Sequence, residues 1–374
     1  MLRVKNFFLA LISVGVVLLC AEGVFRVCAK PAPQPAAEQA VTWVEVPEKK
    51  WVDYHDVLGW YPQPDKTARL ETPLIHQEIH TNAAGFRGER NYAENKNSGG
   101  PRILAVGDSF TFGFGVADSE TFSRRLEERN PALEVLNAGV PGYGIDQVLM
   151  LYREIGRKYH PDVVLVDVFP EMGWRATRAF TAGGYAKPFF KLTAQGELEL
   201  QNVPVPKPYA MTQGQFPNLF QHSFWQAVLK KSMLYQWIRA RLLRLSRNVY
   251  LIDPDLSDEW KISRKILSQL LREIRKDGAE PVLVMIPPEY WVRSPEKNQP
   301  RRSMLRFAKR EHVPVVDLTT AFYEAGKKSS VEDYYIRDDW HWTAKGHALA
   351  AAEIESFLKS PKRHFLPPPS GAAA

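Results

Sequence analysis

From residue 101 onward, short runs of apolar residues alternate with longer segments in which apolar residues recur every three or four positions. The first pattern is typical of buried β-strands and the second of amphipathic helices. The predicted strands are 102–108, 133–139, 161–169, 281–288 and 313–319. The predicted helices are 119–129, 146–159, 258–278, 300–312 and a last one that begins near Thr343. Strands that alternate with helices predict a three-layer α/β/α sandwich around a parallel five-stranded sheet with right-handed crossovers.

Polar and glycine-rich segments follow four of the predicted strands. Residues 107–109 (Gly-Asp-Ser) end the first strand, 137–144 the second, and 170–171 (Pro-Glu) the third. The segment 336–342, "IRDDWHW", follows the fifth strand after a short intervening segment. Because the carboxyl ends of parallel strands meet at one edge of a sheet, we expect these four loops to converge there.

Ser109 has two interpretations at this stage, a nucleophile or a turn serine beside a helix that Asp108 caps. A serine hydroxyl is a weak nucleophile unless an imidazole takes its proton and a third group holds that imidazole. His341, with Asp338 and Asp339 just before it, fits these two roles. A phosphate-binding loop is excluded because "GDSFTFG" lacks the lysine of G-x-x-x-x-G-K-[ST].

Four segments, taken in order, resemble the sequence blocks of the SGNH/GDSL hydrolase superfamily. They are "VGDSFTFGFGV", "VLNAGVPGYG", "PDVVLVDVF" and "DDWHWTAKGHALAAAE", and the resemblance covers roughly 101–170 and 280–358. The upstream "NAAGFRGER" is similar to the segment that precedes the first block in membrane-anchored bacterial members. The resemblance implies an SGNH/flavodoxin-like fold.

The resemblance also implies roles for particular residues. Ser109 would be the nucleophile and His341 the general base, and the backbone N–H groups of Ser109 and Gly142 would donate into the oxyanion hole. Either Asp338 or Asp339 would orient the imidazole, under a D-x-x-H or a D-x-H alignment, with a preference for Asp338. No metal ion and no organic cofactor is required.

Glu171 stands where the third block of the family has an asparagine that donates to the oxyanion. An ionised carboxylate only accepts hydrogen bonds, and the loss of one oxyanion donor typically costs about 10²–10³ in rate. Three outcomes are open: Glu171 is protonated, Arg175 or Arg178 supplies another donor, or the activity is weak or lost.

The first thirty residues combine Arg3 and Lys5 with an apolar run from Phe7 to Cys20. This run approaches the ~17–25 residues that cross a bilayer, and "AEG" is a poor match to the small-residue cleavage site of a secretory signal. We therefore predict an uncleaved N-terminal membrane anchor in 1–30, with a cleaved signal peptide or a buried helix as alternatives. An anchor places the domain outside the cytoplasm, in the periplasm or another extracytoplasmic space.

The composition of the rest of the chain suggests its organisation. The predicted parts are a linker at 31–50, a hydrolase-type domain at 51–360 with an insert at about 172–257, and a disordered tail at 361–374. The net charge of +7 comes from scattered basic residues without interleaved aromatic residues, which argues against nucleic acid as a partner.

The sequence thus predicts a serine esterase that removes or transfers an acyl or acetyl group on an extracytoplasmic glycan or lipid ester. Its partners would be that substrate and, through the N-terminal helix, the membrane. Two alternatives stay open: an O-acetyltransferase, and a non-catalytic carbohydrate-binding or scaffold protein on a degenerate fold, for which Glu171 is the reason.

Overall fold

A computed structural model describes most of the predicted domain. The described residues are 51–71, 75–96, 99–170, 172–181, 185–207, 258–295, 298–337, 339–360 and 365, and all of them belong to one compact unit. The predicted anchor and linker at 1–50, the larger part of the predicted insert at 208–257, Glu171 and Asp338 lie outside these residues. Among the residues that are described, no helix is long and apolar enough to cross a membrane.

The strands and helices are numbered here in chain order over the described residues. The strands are β1 (Val52–His55), β2 (Gly59–Pro62), β3 (Lys66–Glu71), β4 (His76–Thr81), β5 (Arg102–Gly107), β6 (Glu134–Gly139), β7 (Val163–Val168), β8 (Phe189–Leu192), β9 (Leu198–Gln201), β10 (Glu280–Met285) and β11 (Val315–Asp317). The α-helices are α1 (Ser109–Phe112), α2 (Phe122–Arg129), α3 (Ile145–Glu154), α4 (Met172–Arg175), α5 (Asp258–Lys276), α6 (Glu289–Arg293), α7 (Gln299–Arg310), α8 (Leu318–Lys328) and α9 (Ala344–Leu358).

The predicted parallel five-stranded sheet is confirmed. Its strands lie in the order β11-β10-β7-β5-β6, and every neighbouring pair is parallel. All residues of β5, β6 and β7 are buried, because helices cover both faces of the sheet. Counted along the chain, the five strands have the order 2-1-3-4-5, the order of flavodoxin-like folds. The switch point, where such folds bind their ligands, therefore lies at the carboxyl ends of β5 and β7.

The direction of the crossovers assigns the helices to the two outer layers. The connection from β5 to β6 runs one way along the sheet, and the later connections run the other way, so right-handed crossovers put α2 on one face and α3, α5 and α7 on the opposite face. The helix contacts agree, since α3 packs against α5 and α9 packs against both α2 and α8. The described domain is thus a three-layer α/β/α sandwich.

Some predicted boundaries were wrong. The segment 119–129 is a 3₁₀ turn followed by α2, which begins only after Thr121, whose hydroxyl accepts a hydrogen bond from the N–H of Arg124 (3.3 Å). The strand predicted at 313–319 ends at Asp317, whose side chain accepts from the N–H of Thr319 (3.0 Å) and so caps α8. Helix α8 therefore occupies what the sequence suggested was a short connecting segment.

Three antiparallel hairpins, β1-β2, β3-β4 and β8-β9, were not predicted. The β3-β4 hairpin matters for the site because its buried residue Ile79 belongs to a small apolar cluster with Phe112 and Phe114, which lie just after Ser109. Trp51 stacks on Phe112 at 5.0 Å between ring centroids, and the buried Arg87 lies over the same ring at 4.6 Å. The hairpin and Arg87 thus pack around Phe112 and help to hold helix α1 in place.

Candidate active site

Ser109 is the first residue of α1, directly after the carboxyl end of β5. The Asp108 side chain caps this short helix by accepting a hydrogen bond from the N–H of Phe110 (3.0 Å), and Gly113 ends it with a φ of +83°. A Cβ at Gly107 would lie 2.0 Å from Thr111 Oγ1, so only glycine allows the chain to turn this tightly. The sequence therefore folds into a sharp strand-to-helix turn with Ser109 at its top.

His341 lies directly against Ser109 although the two are far apart in sequence. Its Nε2 is 2.7 Å from Ser109 Oγ, and its Nδ1 is 2.6 Å from Asp339 Oδ1. Because a carboxylate only accepts hydrogen bonds, Nδ1 carries the proton in this arrangement. Nε2 is then the acceptor, and the serine hydroxyl donates to it. The structure thus brings Ser109, His341 and Asp339 together in one hydrogen-bonded chain.

The Asp339 carboxylate is held by the same histidine that it orients. Asp339 Oδ1 also accepts a hydrogen bond from the backbone N–H of His341 (3.0 Å). Burial raises the pKa of Asp339, but its hydrogen bonds and electrostatic interaction with His341 outweigh this effect and leave that pKa below its ordinary value. Asp339 is therefore ionised at neutral pH. Its alternative, Asp338, lies outside the described residues.

Aromatic rings fix the orientation of the imidazole. The His341 ring lies 4.9 Å from the Phe110 ring and 4.6 Å from the Phe114 ring. The next residue, Trp342, is buried and packs edge-on against Phe110 at 5.2 Å and stacks on Phe322 at 5.0 Å. The loop that carries His341 is thereby anchored to both α1 and α8, which limits the positions its imidazole can adopt.

The second predicted loop also reaches this edge of the sheet. The Val140 N–H donates to the carbonyl of Gly107 (3.1 Å), which holds the loop against the nucleophile turn. Gly142 has a φ of +84°, and a Cβ on it would lie 3.5 Å from the Trp60 ring. The Tyr143 carbonyl, next in the chain, accepts from Arg175 Nη1 (3.1 Å).

The third predicted loop lies there as well. The Phe169 ring, just after β7, packs on the Phe110 ring at 4.7 Å, and its N–H donates to Met172 Sδ (3.4 Å). The loops after β5, β6 and β7 and the His341 loop therefore converge as expected. Glu171 itself lies outside the described residues.

The carboxyl-terminal third of the chain matches a family model. Residues 247–369 match the model described as SGNH hydrolase-like domain, acetyltransferase AlgX. This range includes the loop with Asp339 and His341. The resemblance to the SGNH/GDSL superfamily is confirmed. No curated protein sequence matches the chain.

Several solved structures are similar to this chain. TesA is 15% identical with a TM-score of 0.40, and the match covers 69% of this chain and 98% of TesA. A lipase/acylhydrolase from Enterococcus faecalis is 16% identical with a TM-score of 0.39, over 72% of this chain and 100% of that one. An acetyl-xylooligosaccharide esterase from Geobacillus is 14% identical with a TM-score of 0.38, over 70% and 94%.

One buried acid beneath this site was not predicted. Asp167 of β7 is fully buried and accepts a hydrogen bond from Thr111 Oγ1 (2.6 Å), and burial raises its pKa well above the ordinary value. Through this hydrogen bond with Thr111, Asp167 supports α1 from inside the sheet. The signal in the sequence was a single aspartate within the apolar run "VVLVDVF". Across the described part of the chain, no group of three or more His, Cys, Asp or Glu side chains could hold a metal ion.

His347 of α9 is buried within the core, and its Nδ1 accepts from the N–H of Phe122 (3.3 Å). Burial lowers the pKa of His347 to about 3, so it stays neutral in the folded protein while the unfolded chain takes up a proton below pH ~6.5. Its contribution to stability is complete above that pH and is lost as the pH falls toward 3.

We expect His347→Gln to remove part of the acid sensitivity of folding. Between pH 7 and pH 5, the free energy of unfolding of the variant should fall by about 2 kcal/mol less than that of the wild type, because glutamine has no group that titrates. Urea denaturation at several pH values measures this. His312→Gln, the same substitution at an exposed histidine, is measured alongside as the control. Equal pH dependence in His347→Gln and wild type would contradict the prediction.

Proposed function

We propose that this protein is a serine-dependent esterase or O-acyltransferase that acts on an acyl or acetyl ester of an extracytoplasmic glycan or lipid. The observation that carries the proposal is the hydrogen-bonded chain from Ser109 Oγ through His341 to Asp339 Oδ1. An imidazole that accepts from a serine hydroxyl and is held by a carboxylate is the arrangement that activates a serine nucleophile.

The reaction begins with attack of Ser109 Oγ on the carbonyl carbon of the ester, while His341 Nε2 takes the hydroxyl proton. The tetrahedral intermediate collapses to an acyl-serine, and the imidazolium returns the proton to the leaving alcohol. A water molecule or a sugar hydroxyl then attacks the acyl-serine, with His341 as the base, and Ser109 regains its proton. Asp339 keeps Nδ1 protonated and stabilises the imidazolium in both halves of the reaction.

The oxyanion of each tetrahedral intermediate needs hydrogen-bond donors aimed at it. We assign this role to the backbone N–H groups of Ser109 and Gly142. They lie on two loops that are joined through the Val140–Gly107 hydrogen bond and through Arg175. Glu171, at the family's third donor position, could serve only in its protonated form, because an ionised carboxylate donates no hydrogen bond.

Acetyl transfer is the form of the reaction that the matched family model supports, since its description names an acetyltransferase. Under this proposal, the acceptor hydroxyl replaces water in the second half of the reaction. The membrane anchor in 1–30 and the extracytoplasmic location belong to the same proposal and rest on the sequence pattern.

Labelling of the full-length protein with a fluorophosphonate probe tests the nucleophile directly. We expect one covalent adduct, located on Ser109 by peptide mass spectrometry, because the probe reacts with serines that a neighbouring base has activated. Ser109→Ala should not be labelled, while Ser294→Ala, at an exposed serine, should be labelled like the wild type. A folded wild-type protein without an adduct would instead favour the non-catalytic carbohydrate-binding function.

Hydrolysis and transfer are then separated by one assay. The wild type is given p-nitrophenyl acetate with and without an oligosaccharide acceptor, and acetylated oligosaccharide and free acetate are both measured. An acetyltransferase forms acetylated oligosaccharide faster than free acetate, whereas an esterase releases acetate at the same rate with or without the acceptor.

A further inference from the structure

Arg175, the last residue of α4, joins two of the loops of the proposed site. Its Nη1 donates to Asp108 Oδ2 (3.0 Å) and to the Tyr143 carbonyl (3.1 Å). Asp108 directly precedes Ser109, and Tyr143 directly follows Gly142. One nitrogen atom thus connects the neighbours of both residues whose backbone N–H groups are assigned to the oxyanion hole.

The charge of Arg175 is as important as its geometry. The Asp108 side chain has no solvent exposure, and Arg175, only 20% exposed, forms an ion pair with it. A buried carboxylate without a partner is costly, and next to Ser109 it would also repel the negative charge that develops on the substrate carbonyl. The Arg175 guanidinium removes this repulsion by making the pair neutral overall.

The backbone around Arg175 leaves little room for it to move. A Cβ on Gly144 would lie 2.9 Å from the Cβ of Arg175 and 3.2 Å from the N atom of Ala176, so the second loop passes directly against the end of α4. Ser263 Oγ of α5 donates to the carbonyl of Gly173 (2.7 Å), which holds the start of α4 against the neighbouring layer. Arg175 is therefore held at a fixed place between the two loops.

We propose that Arg175 is a positioning residue of the acyl-transfer site, which neutralises Asp108 and keeps the Ser109 and Gly142 loops in register for the oxyanion. This inference rests on the proposed function. It gives the segment after β7 a part in the reaction that does not depend on a donor at position 171.

Arg175→Met tests the inference on the full-length protein with p-nitrophenyl acetate. It keeps the aliphatic part of the side chain and removes the charge and the donors. We expect kcat to fall about 10²–10³-fold, the size of effect that a lost oxyanion contact has, while KM changes less than about threefold. Arg175→Lys should retain about a tenth of kcat or more, since a single nitrogen makes both hydrogen bonds. The control is Lys191→Met on β8, where the exposed ammonium group lies over the Phe189 ring, and it should behave like the wild type.

A second variant separates the proposed role from a merely structural one. In an Asp108→Asn background no buried carboxylate needs a partner, so Arg175→Met should there cost about tenfold or less in kcat. An equal loss of kcat in both backgrounds overturns the inference. A loss of kcat above 100-fold in folded Arg175→Lys also overturns it, and this variant provides the test if Arg175→Met does not fold.

Fluorophosphonate labelling of the wild type distinguishes a failure of this inference from a failure of the proposed function. Normal labelling with unchanged kcat in Arg175→Met overturns only this inference, whereas an unlabelled wild type overturns the proposed function and this inference with it.

Discussion

Ser109→Ala and His341→Ala are each expected to lower kcat/KM for p-nitrophenyl acetate by about 10⁵-fold or more, and the double variant is expected to lose no more than either single one. The nucleophile and its base act as one unit, so that removal of either leaves the other without a role. The 2.7 Å contact between Ser109 Oγ and His341 Nε2 is the reason to expect this in the present chain.

The measurement needs all three variants and a check of their folding. Ser109→Ala removes one oxygen, whereas His341→Ala leaves space between the rings of Phe110 and Phe114, so thermal unfolding of each variant is recorded as well. His312→Gln, an exposed histidine, serves as the control with wild-type kcat/KM. Losses that multiply in the double variant would mean that Ser109 and His341 act independently and would contradict the proposed mechanism.

The central sheet could be predicted because its strands are buried on both faces and therefore appear as continuous apolar runs. The hairpins could not, because their strands are partly exposed and do not appear as continuous apolar runs: none of the four residues of β1 is buried. Helix α8 was missed since Asp317 ends an apolar run and caps a helix at the same time, and apolar spacing alone does not separate these two roles.

The candidate site likewise contains residues whose roles could be predicted from the sequence and residues whose roles could not. Ser109 and His341 could be proposed because motif order and strand ends brought their loops to one edge, and the structure places them in contact. The bonds of Arg175 to Asp108 and Tyr143 could not be foreseen, since they join segments far apart in the chain. Asp167 was overlooked because a single acid inside an apolar strand gives no sign of its partner, which is Thr111.

The second large effect on activity is expected for Asp339→Asn, which replaces one of the two aspartates of "DDWHW". Asparagine keeps the size of the side chain, but its amide nitrogen cannot accept a hydrogen bond, and its neutral oxygen stabilises an imidazolium less than a carboxylate does. We expect kcat on p-nitrophenyl acetate to fall by about 10⁴-fold, as happens when the corresponding carboxylate of a serine triad is replaced by an amide. The sequence favoured Asp338 for this role, whereas Asp339 Oδ1 is the atom found 2.6 Å from His341 Nδ1.

Asp338→Asn is the matched comparison, because it makes the same chemical change one residue earlier in the same loop. If Asp339 orients the imidazole, Asp338→Asn should keep kcat within a few-fold of the wild type. The pKa of Asp339 lies below its ordinary value, so this carboxylate stays ionised well into the acid range. Protonation of Asp339 should therefore contribute nothing to the pH dependence of kcat/KM near neutral pH, in the wild type and in Asp338→Asn alike. A larger loss in Asp338→Asn than in Asp339→Asn would show that the loop rearranges when substrate binds and that the D-x-x-H alignment describes the working enzyme.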